Sequence, residues 1–99
     1  MRLTQDERAT IRHQVAAHFG PDAQVWLFGS RTDDARRGGD IDLYIEYAPK
    51  KSDEFKCVSR LDFDLQRSLG ERAIDIVAWS PGMPMQKIHE MARTTGVLI

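Results

Sequence analysis

Apolar residues return along this chain with two periods, and the switches between them predict its elements. Ile11, Val15 and Phe19 recur at helical spacing behind Thr4 and Glu7, whose separation is that of a capping box. Gly20-Pro21 stops that helix. Val25-Trp26-Leu27-Phe28 is a short unbroken apolar run, as expected of a buried strand, and Gly29-Ser30 ends it. Residues 31–39 are polar and rich in arginine and glycine, with room for one short helical turn. The period then falls to two. Ile41, Leu43 and Ile45 alternate with Asp40, Asp42, Tyr44 and Glu46, so this strand has one apolar face and one that bears carboxylates. Pro49 ends it.

Helical spacing returns after Ser52 and Asp53, either of which can cap a helix. Phe55, Val58, Leu61, Leu65 and Leu69 form its apolar stripe, and Gly70 stands at its stop. Ala73 to Trp79 reads as a third strand, Ser80-Pro81-Gly82 as a turn, and residues 84–95 as a last helix ending at Gly96. Val97-Leu98-Ile99 is left as an apolar tail. The order α-β-(α)-β-α-β-α predicts an α/β (α+β) fold, a small three-stranded mixed sheet packed with about four helices. The β-α-β unit from Asp40 to Trp79 is expected to be a right-handed crossover between parallel strands. The loop before it can return its strand antiparallel.

Composition narrows the picture. The 99 residues are expected to form a single domain, 1–99, with no length for a large substrate-enclosing lobe. Hydrophobic residues at 41% and charged residues at 29% are ordinary globular proportions. A formal net charge of −1 argues against a general nucleic-acid binder, which carries a basic excess. Cys57 is the only cysteine, so no internal disulfide forms, and a reducing, cytoplasmic setting is the simplest reading. No apolar run approaches the roughly 20 residues of a membrane span. Residues 1–7 lack the apolar core of a signal peptide.

The chemistry lies between the first two strands. Gly29 ends a buried strand, where the missing Cβ lets backbone approach a phosphate. Ser30 adds a hydroxyl donor, and a following turn presents N–H groups to an anion. Arg31 stands beside them with a guanidinium suited to phosphate. Nine residues, 31–39, separate Ser30 from Asp40. Asp40 and Asp42 lie two apart on a strand, so both side chains leave one face. Adjacent carboxylates repel unless a cation sits between them, and hard oxygen ligands near phosphate favour Mg²⁺ or Mn²⁺. Asp75 is a charge on an otherwise apolar strand, where burial without a partner costs several kcal/mol as an order of magnitude, about 3 to 5. If the second and third strands are parallel neighbours, Asp75 lies beside Asp42, and three carboxylates can hold one or two metal ions for in-line displacement at phosphorus.

With Gly29, Ser30, Asp40, Asp42 and Asp75 in this order, the chain resembles the DNA polymerase β-type nucleotidyltransferase superfamily. It looks most like the minimal nucleotidyltransferases called MNT, antitoxins of HEPN/MNT toxin–antitoxin pairs. The likeness covers nearly the whole chain in element order. It implies that Asp40 and Asp42 coordinate the metals carrying a nucleoside triphosphate, that Asp75 shares a metal and helps deprotonate the acceptor hydroxyl, and that Gly29 and Ser30 grip the triphosphate. It further implies ATP as the substrate and a HEPN-family toxin as the partner, its tyrosine accepting AMP; the short length and near-neutral charge argue against a nucleic-acid template, and no membrane is expected. Gly39 departs from the pattern, which commonly has serine there; a hydroxyl is lost, but no metal ligand.

Two classes of function follow: adenylyl transfer that silences the partner, or neutralisation by binding alone, with the apolar tail and last helix supplying part of the interface. The small-molecule-modifying relatives enclose their acceptor with an additional helical domain, for which this chain has no length. Other polar features have plainer readings. Asp62-Phe63-Asp64 imitates the Asp-x-Asp pattern but lies in a helical window, where residues two apart point about 200° apart. His13, His18 and His89 lack ligand spacing. Arg36 and Arg37 read as solvated. Cys57 reads as a buried or partly exposed thiol, Trp26 and Trp79 as core, and Met83, Met85 and Met91 as packing residues.

Overall fold

The structure, a computed structural model, describes residues 3–28, 41–48, 53–70 and 73–99. Helix α1 (Gln5–Phe19) opens on the expected capping box. The Glu7 N–H donates to Thr4 Oγ1 (3.0 Å) and the Thr4 N–H to Glu7 Oε1 (2.9 Å), satisfying two donors that a helix end leaves orphaned. Strand β1 (Gln24–Leu27) follows, then β2 (Ile41–Glu46) and α2 (Glu54–Leu69). Of the two candidate caps for α2, Asp53 is the one used, accepting from the Phe55 N–H (2.9 Å). Gly70 ends this helix at φ 84°, a conformation other residues rarely adopt. Strand β3 (Ile74–Trp79), α3 (Lys87–Thr95) and β4 (Val97–Leu98) complete the order.

The described residues form one sheet of order β3-β2-β1-β4. β2 runs antiparallel to β1 and parallel to β3, as a β-α-β crossover requires. The sheet is therefore mixed, and the fold class is the expected one. Two counts differ. The apolar tail is a strand, not a free end: β4 lies antiparallel to β1, pairing Trp26 with Leu98 and Leu27 with Val97, and the Ile99 N–H donates to Val25 O. The described residues also hold three helices rather than about four; the helical turn expected within 31–39 falls outside them.

Gly96 makes the return to β1 possible. Its N–H closes α3 on Ala92 O, and a Cβ there would collide with that carbonyl and press on Trp26 Cβ at 3.1 Å. Helix α3 starts at Lys87 rather than 84, because Gln86 is still extended, at φ −94° and ψ 169°.

The sheet separates two cores. Ile41, Leu43 and Ile45 point to one face and meet Leu61 and Leu65 of α2 and Ile11, Val15 and Phe19 of α1. Trp26, Phe28 and Tyr44 point to the other and meet Ala92 of α3, with Val77 and Trp79 at the margin. Phe55 does not belong to the α2 stripe. It stands six residues before Leu61, about 120° round the helix, and is 78% exposed. Met91 is likewise an outward residue of α3, 41% exposed, and not a packing one.

Candidate active site

Strand register decides which polar residues meet. Along β2 and β3 the pairs are Asp42 with Asp75, Tyr44 with Val77, and Glu46 with Trp79. Partners on parallel strands share a face, so Asp42 and Asp75 stand side by side on the face that α3 covers, about 4.8 Å apart in backbone. On the other side of Asp42 its carbonyl accepts from the Phe28 N–H (3.1 Å). Phe28 is the last described residue before Gly29-Ser30 in the sequence. Gly29, Ser30, Arg31 and Asp40 lie outside the described residues.

Asp75 is where the register places it, but not in the surroundings its sequence suggested. It is exposed, whereas Asp42 is half-buried. The reason is topological. β3 is an edge strand, and α3 reaches only the rows beyond the aspartates: His89 lies against Tyr44 (ring centroids 6.0 Å) and Arg93 against Glu46 (3.6 Å). The cost expected of a buried carboxylate therefore does not arise at Asp75.

Beyond the aspartates the same face becomes a packed polar floor. Tyr44 is fully buried, with its ring tilted against Trp26 at 5.3 Å, and its hydroxyl donates to Glu46 Oε2 (2.7 Å). Burial foremost, and then the Glu46 carboxylate, hold the Tyr44 phenol well above its ordinary value. Glu46 is in turn paired with Arg93. His89 is structural: its Nδ1 accepts from the Gln86 N–H (2.9 Å) at the start of α3. The alternation of β2 announced Glu46 and Tyr44 as polar-face residues; that Tyr44 would be buried deepest on that face was not visible in the pattern.

Asp42 and Asp75, one half-buried and one exposed on paired strands, are carboxylates of the hard-oxygen kind that a divalent cation takes. Among the described residues no group of three or more ligating side chains converges, and the third expected ligand, Asp40, is not one of them. The remaining histidines do not enter the site. His18 pairs with Asp64 at 2.7 Å between α1 and α2, and His13 is exposed. The imitation motif is confirmed as helical: Asp62 accepts from Gln66 within α2.

A mixed sheet with a β-α-β crossover and two register-paired aspartates, in a chain whose sequence carries a glycine–serine pair after its first strand, describes a nucleotidyl-transferring class of site. A family model described as nucleotidyltransferase domain matches residues 8–95, and the chain belongs to that family. No curated protein matches the sequence at the level required of a relative. Among the described residues no helix is long and apolar enough to cross a membrane.

Proposed function

We propose that this chain transfers an adenylyl group from ATP, with Mg²⁺ or Mn²⁺, to a hydroxyl on a HEPN-family toxin, a tyrosine in that partner, and so acts as its antitoxin. The observation that carries the reading is the Asp42–Asp75 register pair, with the Phe28 N–H bonded to the Asp42 carbonyl at its flank. The family supports nucleotidyl transfer in general; the adenylyl group, the metal and the partner rest on the resemblance of Gly29, Ser30, Asp40, Asp42 and Asp75 to the minimal members.

In this reading Gly29, Ser30 and Arg31 hold the triphosphate, and Asp40 and Asp42 hold the metal. Bound metal neutralises charge on the phosphates. Asp75, open to solvent on the edge strand, is placed to take the proton of an arriving hydroxyl. The acceptor oxygen bonds to the α-phosphorus, the bond to the bridging oxygen breaks, and pyrophosphate leaves. Tyr44, Glu46 and Arg93 fix the floor under Asp42.

The test is the intact mass of the HEPN partner after incubation with the chain, ATP and Mg²⁺. Whole AMP units should appear and should vanish with EDTA. An unchanged mass with the native chain would remove the catalytic reading. The exposure of Asp75 gives a second reading some footing, since a solvated carboxylate costs nothing to a protein that only binds: neutralisation by complex formation. If Asp42→Ala and Asp75→Ala chains neutralise the partner as well as the native one, that reading prevails.

A further inference from the structure

The outer surface of α2 has an uneven distribution of partners. Its acidic residues are all engaged within the molecule. Asp53 caps the helix, Glu54 accepts from the Tyr47 hydroxyl, Asp62 accepts from Gln66, and Asp64 is held by His18. Its basic residues Lys56, Arg60 and Arg67 are exposed and have no carboxylate partner among the described residues; Arg67 instead lies over the Phe63 ring at 5.7 Å. Between these cations stand Phe55 and Phe63, 78% and 62% exposed. Beside Phe63 a depression of about 380 Å³ opens, lined by His18, Ser59, Arg60, Phe63 and Asp64, where α1 and α2 meet. Single exposed apolar residues are ordinary, but two phenyl rings on one helix face, flanked by a hollow and by cations with no carboxylate partner among the described residues, are not.

We infer that this face docks an acidic amphipathic helix of a partner protein. The rings are eight residues apart, about 12 Å along the helix, which matches the spacing of anchors two turns apart on an opposing helix. The hollow beside Phe63 receives one apolar side chain of that helix, and its acidic flank meets Lys56, Arg60 and Arg67. Two other occupants fit less well. A second copy would bring the same surface against itself, and a face whose carboxylates are all engaged has nothing to offer its own cations. Single-stranded RNA stacks successive bases on closely placed rings, and this chain as a whole has a net charge of −1.

The assignment stands apart from the transfer chemistry. Leu61 and Leu65 of α2 pack on the Ile41/Leu43/Ile45 face of the sheet, whereas Asp42 and Asp75 are on the other. A helix bound to α2 leaves the aspartates uncovered, so docking and transfer can fail separately.

The test uses the full chain and a three-heptad helical peptide with leucine at the core positions and glutamate on both flanks, followed by fluorescence anisotropy. The Glu peptide should bind, weaken as salt rises, and weaken about tenfold or more with Phe55→Ser/Phe63→Ser. The same peptide with lysine for glutamate, oligouridylate, and the chain itself in sedimentation should show no association. The paired charge reversal Lys56→Glu/Arg60→Glu should exchange the preference, so that the Lys peptide binds and the Glu peptide does not; misfolding cannot produce that exchange. Binding should be the same in Asp75→Asn. No binding of the Glu peptide at millimolar concentration, equal binding of both peptides, tighter binding of oligouridylate, or self-association through this face would each overturn the inference.

Discussion

Strand β2 serves two faces of the sheet that differ in kind. On one, Ile41, Leu43 and Ile45 are sealed under α1 and α2 by aliphatic contact. On the other, Asp42, Tyr44 and Glu46 run from half-exposed carboxylate to buried phenol to a carboxylate paired with Arg93. The first face holds the strand in place through nondirectional burial. The second sets side chains in order by hydrogen bonds and register. A site carried on the second face can thus change its chemistry without loosening the first, because the two share only backbone.

The widest separation between the faces should come from Asp75→Asn. Transfer should fall by about 10² to 10⁴, while urea unfolding shifts by no more than about 0.5 kcal/mol, since Asp75 is exposed. A large loss of stability would show that the aspartate has a structural part the comparison denies it. Leu65→Ala should do the reverse. It should cost about 2 to 5 kcal/mol in the same unfolding measurement, and the folded fraction should keep its transfer rate per molecule.

Tyr44→Phe lies between the two. Losing the hydroxyl that donates to Glu46 should cost about 1 to 2 kcal/mol. Its pH dependence is more telling. The phenols of Tyr44 and Tyr47 are both held above their ordinary value of 10.0, by burial first and by Glu46 and Glu54 second. A group raised in the folded state contributes stability that is whole below its unfolded value and is lost as pH climbs past it. Melting temperature should therefore decline above about pH 10, and less steeply in Tyr44→Phe than in the native chain. Equal slopes would place Tyr44 outside the rigid floor. The smallest effect belongs to Ser80, whose buried Oγ finds no hydrogen-bond partner among the described residues. Ser80→Ala should be neutral or raise stability by up to about 1 kcal/mol, read from the melting temperature; a clear loss would contradict the unpaired state.

Much of this was legible in the chain because its signals are local. Thr4 with Glu7, Asp53, Gly70 and Gly96 mark helix ends by chemistry that acts within one turn. The pairing of Asp42 with Asp75 was readable on the condition that β2 and β3 are neighbours, since a β-α-β crossover makes its strands parallel but does not by itself make them adjacent. What escaped depends on residues far apart. Nothing in Ala73–Trp79 says that β3 is an edge strand, so the solvation of Asp75 could not be read from its apolar neighbours. Val97-Leu98-Ile99 has too few residues to show a period, and its partner is β1. Phe55 and Met91 look like core by residue type, yet helix rotation turns them outward. The glycine–serine loop and Asp40 were readable only as motif, and lie outside the described residues.

The pairing of β4 with β1 also bears on the order in which the sheet is completed. Trp26 meets Leu98 and Leu27 meets Val97, the most distant strand pairings in the described chain. Contacts so far apart must be preceded by nearer ones that shorten the intervening loop. The hairpin of β1 with β2 and the crossover to β3 are nearer, and α3 must already be seated for Gly96 to turn the chain onto Trp26. β4 is thus expected to join last in folding and to exchange its amide protons first in the native state, so the β1–β4 pairing is the last of the described strand pairings to close and the first to open.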